Sequence, residues 1–257
     1  MKILIIGDSC IDKFIYGNVN RLNPEAPTQI FCPSYEIENP GMAANVAEHF
    51  KHLNIKYDFI TNFEHIYKIR YIDEASNYIL LRVDKESLIF PLCEQIDLEF
   101  YDFILISDYN KGFLTQDYLE SLIFNAIKQN KLVFLDTKKE LGDWSQHAWI
   151  KINEKEFLQN KKNNFNKEKT IITMGKAGVR YKDKIIAPEI EITTRDVVGA
   201  GDTFQVFFSL YFYKTRDVIL SIKKANHYAG IACSSKGVKS NFIEKEVDSI
   251  IKTNKVE

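Results

Sequence analysis

Cysteine is scarce and scattered: Cys10, Cys32, Cys93 and Cys233 form no C-x-x-C pair. That spacing argues against both a disulfide frame and a thiolate zinc site. The histidines (His49, His52, His65, His147, His227) form no ligand pattern either. His49 and His52 lie three apart on an expected helix with no acid or cysteine set beside them, and both read as part of a solvated face. An excess of one charge sign is also missing. Lys and Arg number 34 against 35 Asp and Glu, a formal net charge of −1, without the clustered basic excess of a nucleic-acid binder. No apolar run approaches a membrane span, and Met1 to Asp8 is too short an apolar start for a signal peptide. The expected setting is the cytoplasm, with neither nucleic acid nor membrane as partner. Repeats, low-complexity tracts and interdomain linkers are absent too, and the polar cluster Asn160 to Lys169 reads as a surface loop.

What remains is a chain of 257 residues, 45% hydrophobic, enough for a large α/β domain with a real core. Short, continuously apolar runs at Ile3 to Ile6, Phe103 to Ile106, Leu132 to Leu135, Trp149 to Ile152 and Thr170 to Thr173 predict strands buried on both faces. Helical patterns intervene at Met42 to Leu53, Gln116 to Gln129, Lys155 to Gln159, Thr203 to Tyr213, Arg216 to Lys236 and Glu244 to Thr253. This alternation predicts a doubly wound, mostly parallel sheet. Three strands end in Gly7-Asp8, Ser107-Asp108 and Asp136-Thr137, and open parallel sheets bind ligands beyond such ends. Two segments, Phe14 to Tyr35 and Tyr67 to Val83, are strand-like and turn-punctuated, with a hairpin turn expected near Glu74 to Asn77. They predict a small β flap over the strand ends, within a single domain spanning 1–257.

The most informative stretch is Arg195-Asp196-Val197-Val198-Gly199-Ala200-Gly201-Asp202-Thr203-Phe204. It places two glycines and an acid where an apolar helix begins. Such a turn offers backbone N–H groups at the positive end of a helix dipole, a ready site for phosphate. An aspartate there can take a proton from a hydroxyl beside a phosphate in transfer. The plainer reading is a strand-to-helix turn with Asp202 as a first-turn acid.

The Asp196-x-x-Gly199-Ala200-Gly201-Asp202 run resembles the phosphate-hole signature of ribokinase-type (PfkB) sugar kinases, and the resemblance continues in order along the chain. Gly7-Asp8-x-x-x-Asp12 and Gly41-x-Ala43-Ala44-Asn45-Val46-Ala47 are similar to the family's sugar-binding segments. Asn153-x-x-Glu156 resembles its magnesium and phosphate motif. Thr173-x-Gly175-x-x-Gly178 and Ala225-Asn226 resemble segments lining the nucleotide pocket. A narrower likeness, to the kinase domain of bacterial heptose kinase/adenylyltransferases, is carried by Arg21-Leu22-Asn23-Pro24-Glu25-Ala26-Pro27 and Ser107-Asp108-Tyr109-Asn110-Lys111-Gly112. The resemblance implies a shortened ribokinase-like three-layer α/β fold and phosphorylation of the anomeric hydroxyl of a heptose 7-phosphate. It implies ATP and Mg²⁺ as cofactors, with a monovalent cation as a further candidate. No adenylyltransferase half is present, so the later step is expected of a separate protein.

The roles follow from phosphoryl transfer, which needs positioning, charge neutralisation and an oriented nucleophile. Asp202 is the candidate base, ionised at neutral pH by its helix N-terminus with no raised pKa needed. The N–H groups of Gly199, Ala200, Gly201 and Asp202 hold developing charge. Asp12 and Asn45, with Asp8 as a further candidate, face sugar hydroxyls beside Gly41. Asn153 and Glu156 order magnesium through water, unless they are only a turn asparagine and a helix-start acid. Arg21, Lys68, Arg70 and Lys111 are candidates for a phosphate already on the sugar, or else solvated surface charges. Lys68 and Arg70 share one strand face. Thr173, Gly175, Gly178 and Asn226 are the nucleotide candidates, Asn226 alternatively making a local bond.

The chain also departs from the family pattern. Met42 stands where many relatives have a second glycine, and Val198 replaces a hydroxyl-bearing residue. A strand-helix unit between Leu53 and Tyr67 is expected to be largely absent, with a second shortening between Asp84 and Phe103. The flap strands are expected to pair or pack across a homodimer, since an exposed strand edge is an association surface.

Overall fold

Strand β1 (Lys2–Gly7) alternates Ile3 and Ile5 against Leu4 and Ile6, all fully buried. Successive strand side chains leave on opposite faces, so both faces of this sheet require cover. The computed structural model describes residues 1–189 and 198–234 and shows how that cover is supplied. Asp196, the expected helix at Glu244 to Thr253 and the end of the one beginning near Arg216 lie outside the described residues.

After β1 come β2 (Ser9–Leu22), β3 (Gln29–Met42), α1 (Ala43–His52), β4 (Lys56–Thr61), β5 (Tyr67–Asp73), β6 (Ile79–Lys85) and β7 (Phe103–Asp108). They are followed by α2 (Gln116–Lys128), β8 (Leu132–Thr137), β9 (Trp149–Asn153), α3 (Glu154–Asn160) and β10 (Thr170–Thr173). The described chain closes with β11 (Val179–Tyr181), β12 (Lys184–Ile186), α4 (Ala200–Thr215) and α5 (Val218–Ser234). The main sheet has the order β12-β11-β10-β9-β8-β7-β1-β4, with β11 antiparallel to both its neighbours and every other pair parallel. On one face Ile3, Ile5, Phe103 and Leu105 pack with Phe50 of α1, Phe207, Leu210 and Tyr211 of α4, and Ile222 and Tyr228 of α5. On the other, Leu4, Ile6, Ile104 and Leu135 pack with Leu119, Leu122 and Ile123 of α2. The result is the three-layer α/β architecture expected. Helix α4 is buried without interruption from Asp202 to Phe212, as an apolar-all-round helix must be.

A second, four-stranded sheet has the order β3-β2-β5-β6. It is the flap, and it reaches further than expected, from Ser9 to Met42 and from Tyr67 to Lys85. Cys10, Asp12 and Phe14 form its inward row on β2, and β2 runs parallel to β5 with Asp12 opposite Lys68.

The expected loss between α1 and the flap is corrected in part. The strand is present as β4, at the edge of the main sheet, and no helix lies between it and β5. The shortening after Asp84 leaves residues 86–102 without strand or helix. Because β1 lies between β4 and β7, the strand order turns back at β1, and the crevice this creates opens at the carboxyl ends of the strands.

Candidate active site

Asp202 stands in the first turn of α4, directly after Gly199, whose φ of 79° is a left-handed conformation that glycine adopts without strain. The first-turn N–H groups of any helix lack intrahelical partners, so Ala200, Gly201 and Asp202 present donors at the dipole's positive end. The Asp202 carboxylate is 5% exposed. Asn45 Nδ2 donates to its Oδ2 at 2.8 Å and the Tyr109 hydroxyl donates to its Oδ1 at 2.9 Å. Burial pushes this carboxyl above the usual range, with Asp136 adding to the rise and Asn45, Lys151 and Tyr109 opposing it. The sequence required no raised pKa at this position; the rise is the mark of burial, which a helix N-terminus in the sequence does not reveal.

The carboxylate closes one side of a cavity of about 70 Å³, room for roughly two waters. Asn45, Tyr109, Val198 and Gly199 line it from the main domain; Asp12, Met42, Lys68 and Arg70 line it from the flap. Arg70 is ion-paired with Asp12, both nearly buried, and lies 5.2 Å over the Phe14 ring. Among the described residues Lys68 forms no ion pair at this spacing; its ammonium lies 5.0 Å from the Tyr109 ring centroid. A side chain on Gly41 would overlap Asp12 Oδ2 and Cys10 Sγ, which is why glycine stands there. Met42 is the exception to good local chemistry. It is 3% exposed and held at φ 58°, ψ −131°, outside the helix that it caps.

Several expected residues are placed elsewhere. Asp8 is fully buried and accepts from the backbone N–H groups of Tyr109 (2.7 Å), Lys111 (3.2 Å) and Phe113 (3.3 Å). It clamps a loop and does not line the cavity. Asp108, at the next strand end, is equally committed, accepting from Thr137 Oγ1 at 2.6 Å and Lys139 Nζ at 2.8 Å. Lys111 is paired with Glu86, and Arg21 is exposed near the outer end of β2. Asn153 and Glu156 form a capping box on α3, at 2.8 and 2.9 Å, and Glu156 also holds Lys138 at 2.6 Å. The pair thus has the helix-cap geometry that its plainer reading requires. Thr173 closes β10, while Gly175 and Gly178, with φ of 57° and 91°, form the turn into β11. Asn226 donates to the Ile186 carbonyl at 3.1 Å, the local bond foreseen as its alternative.

His49 corrects the solvated-face expectation: it is 2% exposed, with Nε2 3.0 Å from Thr203 Oγ1. Since Thr203 Oγ1 donates to the Gly199 carbonyl at 3.0 Å, hydrogen-bond logic assigns the proton to Nε2. His49 thereby braces the turn before Asp202. His52 is surface-exposed, as expected. Composition signalled neither Tyr109, whose hydroxyl reaches Asp202, nor Lys151. Lys151 Nζ is paired with Asp136 and lies 3.0 Å from where a Gly201 Cβ would stand.

This architecture is that of the ribokinase-like fold. The ribokinase of Arabidopsis thaliana complexed with ribose and ATP superposes with a TM-score of 0.71 at 12% identity, covering 98% of each chain. The ribokinase of Thermotoga maritima gives 0.67 at 17%, covering 98% of this chain and 99% of that one. Residues 94–246 match the pfkB family carbohydrate kinase description, and the chain belongs to that family, whose members transfer phosphate to a sugar hydroxyl. In sequence it is 27% identical over 294 residues to the bifunctional protein HldE of Helicobacter pylori strain J99, covering 92% of this chain and 63% of that protein. HldE of Rhodopseudomonas palustris strain BisA53 is 25% identical over 301 residues, covering 93% and 61%. This chain thus spans less than two thirds of those relatives, which are bifunctional as single, longer chains rather than as separate proteins. The alignments exceed this chain's own length, so the relatives carry segments that it lacks.

Proposed function

We propose that the protein is an ATP-dependent sugar kinase that phosphorylates the anomeric hydroxyl of D-glycero-D-manno-heptose 7-phosphate, giving the 1,7-bisphosphate. The observation that carries this reading is the convergence of Asp202 with Lys68 on one cavity: a base at a helix N-terminus faces a cation without an ion pair among the described residues. In the reaction the acceptor hydroxyl passes its proton to Asp202 while its oxygen attacks the γ-phosphorus. The bond from phosphorus to the departing ADP oxygen breaks, and the α4 N–H groups hold the negative charge on the phosphoryl oxygens. Asn45 keeps the carboxylate oriented, and Asp12 with Asn45 offers partners to sugar hydroxyls. Lys68 is the stronger candidate for the distal phosphate; Arg70 is already neutralised by Asp12. The small cavity requires the flap to shift as sugar enters.

Magnesium fits only as an outer-sphere guest of the protein. Glu156 is engaged by Asn153 and Lys138, and the described residues hold no cluster of three carboxylate, histidine or cysteine donors. A bound ion would neutralise phosphate charge, and Glu156 would reach it only through water. The similarity to HldE over most of this chain supports the heptose assignment, and soluble cytoplasmic action is part of the same proposal. No described helix is long and apolar enough to cross a membrane.

The test is ADP release with a panel of sugars and sugar phosphates. Heptose 7-phosphate is expected to exceed ribose, fructose and unphosphorylated heptose, and Lys68→Met to erase most of that preference. A charge-assisted contact is worth about 1.5–3 kcal/mol. Equal kcat/KM for heptose with and without its phosphate refutes the substrate while leaving the kinase reading intact.

A further inference from the structure

The loop after β7 performs a task that the reaction scheme above does not assign. Its Tyr109 is half-buried, and its hydroxyl donates to Asp202 Oδ1 at 2.9 Å. Its backbone N–H is held by Asp8 Oδ2 at 2.7 Å, and the same carboxylate takes the N–H groups of Lys111 and Phe113. One buried acid therefore fixes the loop, and the loop's aromatic side chain fixes a second buried acid. The ring is further steadied by two ammonium groups, Lys68 at 5.0 Å and Lys138 at 5.2 Å from its centroid, since cations favour an electron-rich ring face. From the geometry of Asp8, Tyr109 and Asp202 we propose that Tyr109 is a positioning residue for the base, with Asp8 acting through it.

The inference rests on the reading of Asp202 as the base. With Asn45 on Oδ2 and Tyr109 on Oδ1, the plane of the carboxylate is set from two elements, α1 and the β7 loop. Each oxygen keeps a lone pair for the acceptor hydroxyl. Burial and the nearby Asp202 and Asp136 charges hold the Tyr109 phenol well above its usual range, so it remains a donor at working pH. The other ionisable groups facing Asp202 are Lys151 on β9, Asp136 on β8 and Cys10 on β2, with Asp12, Lys68 and Arg70 across the cavity. Only Tyr109 among them donates a hydrogen bond to the carboxylate. Removing that bond takes away stabilisation specific to the charged form, so Asp202 must titrate at higher pH without it.

The experiment is a pH titration of the intact chain by ¹³C NMR of labelled aspartate carboxyls, with the Asp202 resonance assigned by its loss in Asp202→Asn. In Tyr109→Phe the Asp202 midpoint is expected to move to higher pH. In assays with MgATP and heptose 7-phosphate, the acidic limb of kcat/KM should move the same way. Turnover should fall about 10-fold or more while KM for the sugar changes little, as expected for losing one hydrogen bond to a charged group. Asp8→Asn, which loosens the loop without touching Tyr109's ring, should move both quantities in the same direction by less. An Asp202 midpoint in Tyr109→Phe equal to that of the wild type overturns the proposal. The NMR arm does not depend on turnover. A shifted midpoint combined with full activity in Asp202→Asn therefore upholds the positioning contact while removing Asp202 from the chemistry.

Discussion

Replacing Met42 separates a backbone effect from a side-chain effect. The residue caps α1 at φ 58°, ψ −131° with 3% exposure, so it combines an unfavourable backbone with a well-buried side chain. For a residue with a Cβ, left-handed backbone costs about 1–2 kcal/mol, and strained positions of this kind lie at roughly 1–3 kcal/mol. Removing the thioether forfeits about 2–5 kcal/mol in a closed core. Here the lower part of that range applies, because the site borders a cavity. Both Met42→Ala and Met42→Gly lose the side chain, but only glycine relaxes the backbone. Set against the usual preference for alanine of roughly 0.5–1 kcal/mol, that relief should leave glycine the more stable of the two by about 1 kcal/mol. In a chain of this size that difference is about 2–4 °C in Tm, read by urea unfolding and thermal melts on the two variants side by side. An alanine variant as stable as the glycine variant refutes the argument that strain is stored there. Turnover of the glycine variant should be retained, with KM for sugar equal to or below that of the wild type as the cavity widens.

Asp202→Asn should lose about 10²–10⁴ in kcat, or roughly 3–5 kcal/mol of barrier, while its melting temperature stays near that of the wild type; near-normal turnover removes Asp202 from the mechanism. His49 is held neutral by burial, its pKa lowered to about 3, below the ordinary value of about 6.5. The unfolded chain therefore binds a proton that the folded chain refuses, and stability must fall as pH drops below about 6.5, by about 2 kcal/mol at pH 5. Urea midpoints at pH 7 and pH 5 should diverge in the wild type and converge in His49→Gln, which retains an N–H for Thr203. Ile79, Leu81, Val83, Tyr35 and Ile37 are exposed on the flap, so sedimentation at micromolar concentration should show a dimer, and Leu81→Lys should shift it toward monomer.

The five apolar strands and the flap were legible because burial on both faces, or alternation with turns, leaves a direct mark on residue type. Strand β4 was not. Its sequence, Lys56 to Thr61, mixes charged and apolar residues because it is a sheet edge whose outer rim meets solvent. The hairpin of β11 and β12, three residues per strand, is too short for any period to emerge. Residue type placed acids at the strand ends correctly, but it cannot say what they bind. Asp8 and Asp108 turned out to hold backbone and neighbouring side chains, while Asp12, one turn of pleat into the flap, reached the cavity. His49 and His52 show the same limit, since a spacing of three cannot tell which of two helix positions faces the core. Tyr109 lay inside a recognised motif and went unassigned, because its partner is 93 residues away in sequence.

Those partners bear on how a buried carboxylate would serve as the proposed base. From α3 to α4 the strand ends carry alternating charges: Glu156 holds Lys138, Lys138 and Lys151 share Asp136, and Lys151 reaches the turn of Gly201. A lone ammonium beside a helix N-terminus would set like sign against like, and burying it unpaired would be more costly still. Asp136 removes both objections. Burial alone would raise the Asp136 carboxyl, yet Lys151 and Lys138 hold it below the usual range. The pairing therefore persists wherever the enzyme works. At Asp202 the balance tips the other way, and desolvation prevails over Asn45, Lys151 and Tyr109. A carboxyl raised by burial is a stronger base when ionised than one left in water, and the donors around it oppose that rise. The same residues that orient Asp202 thus set its proton affinity, so geometry and basicity at this site cannot be altered independently.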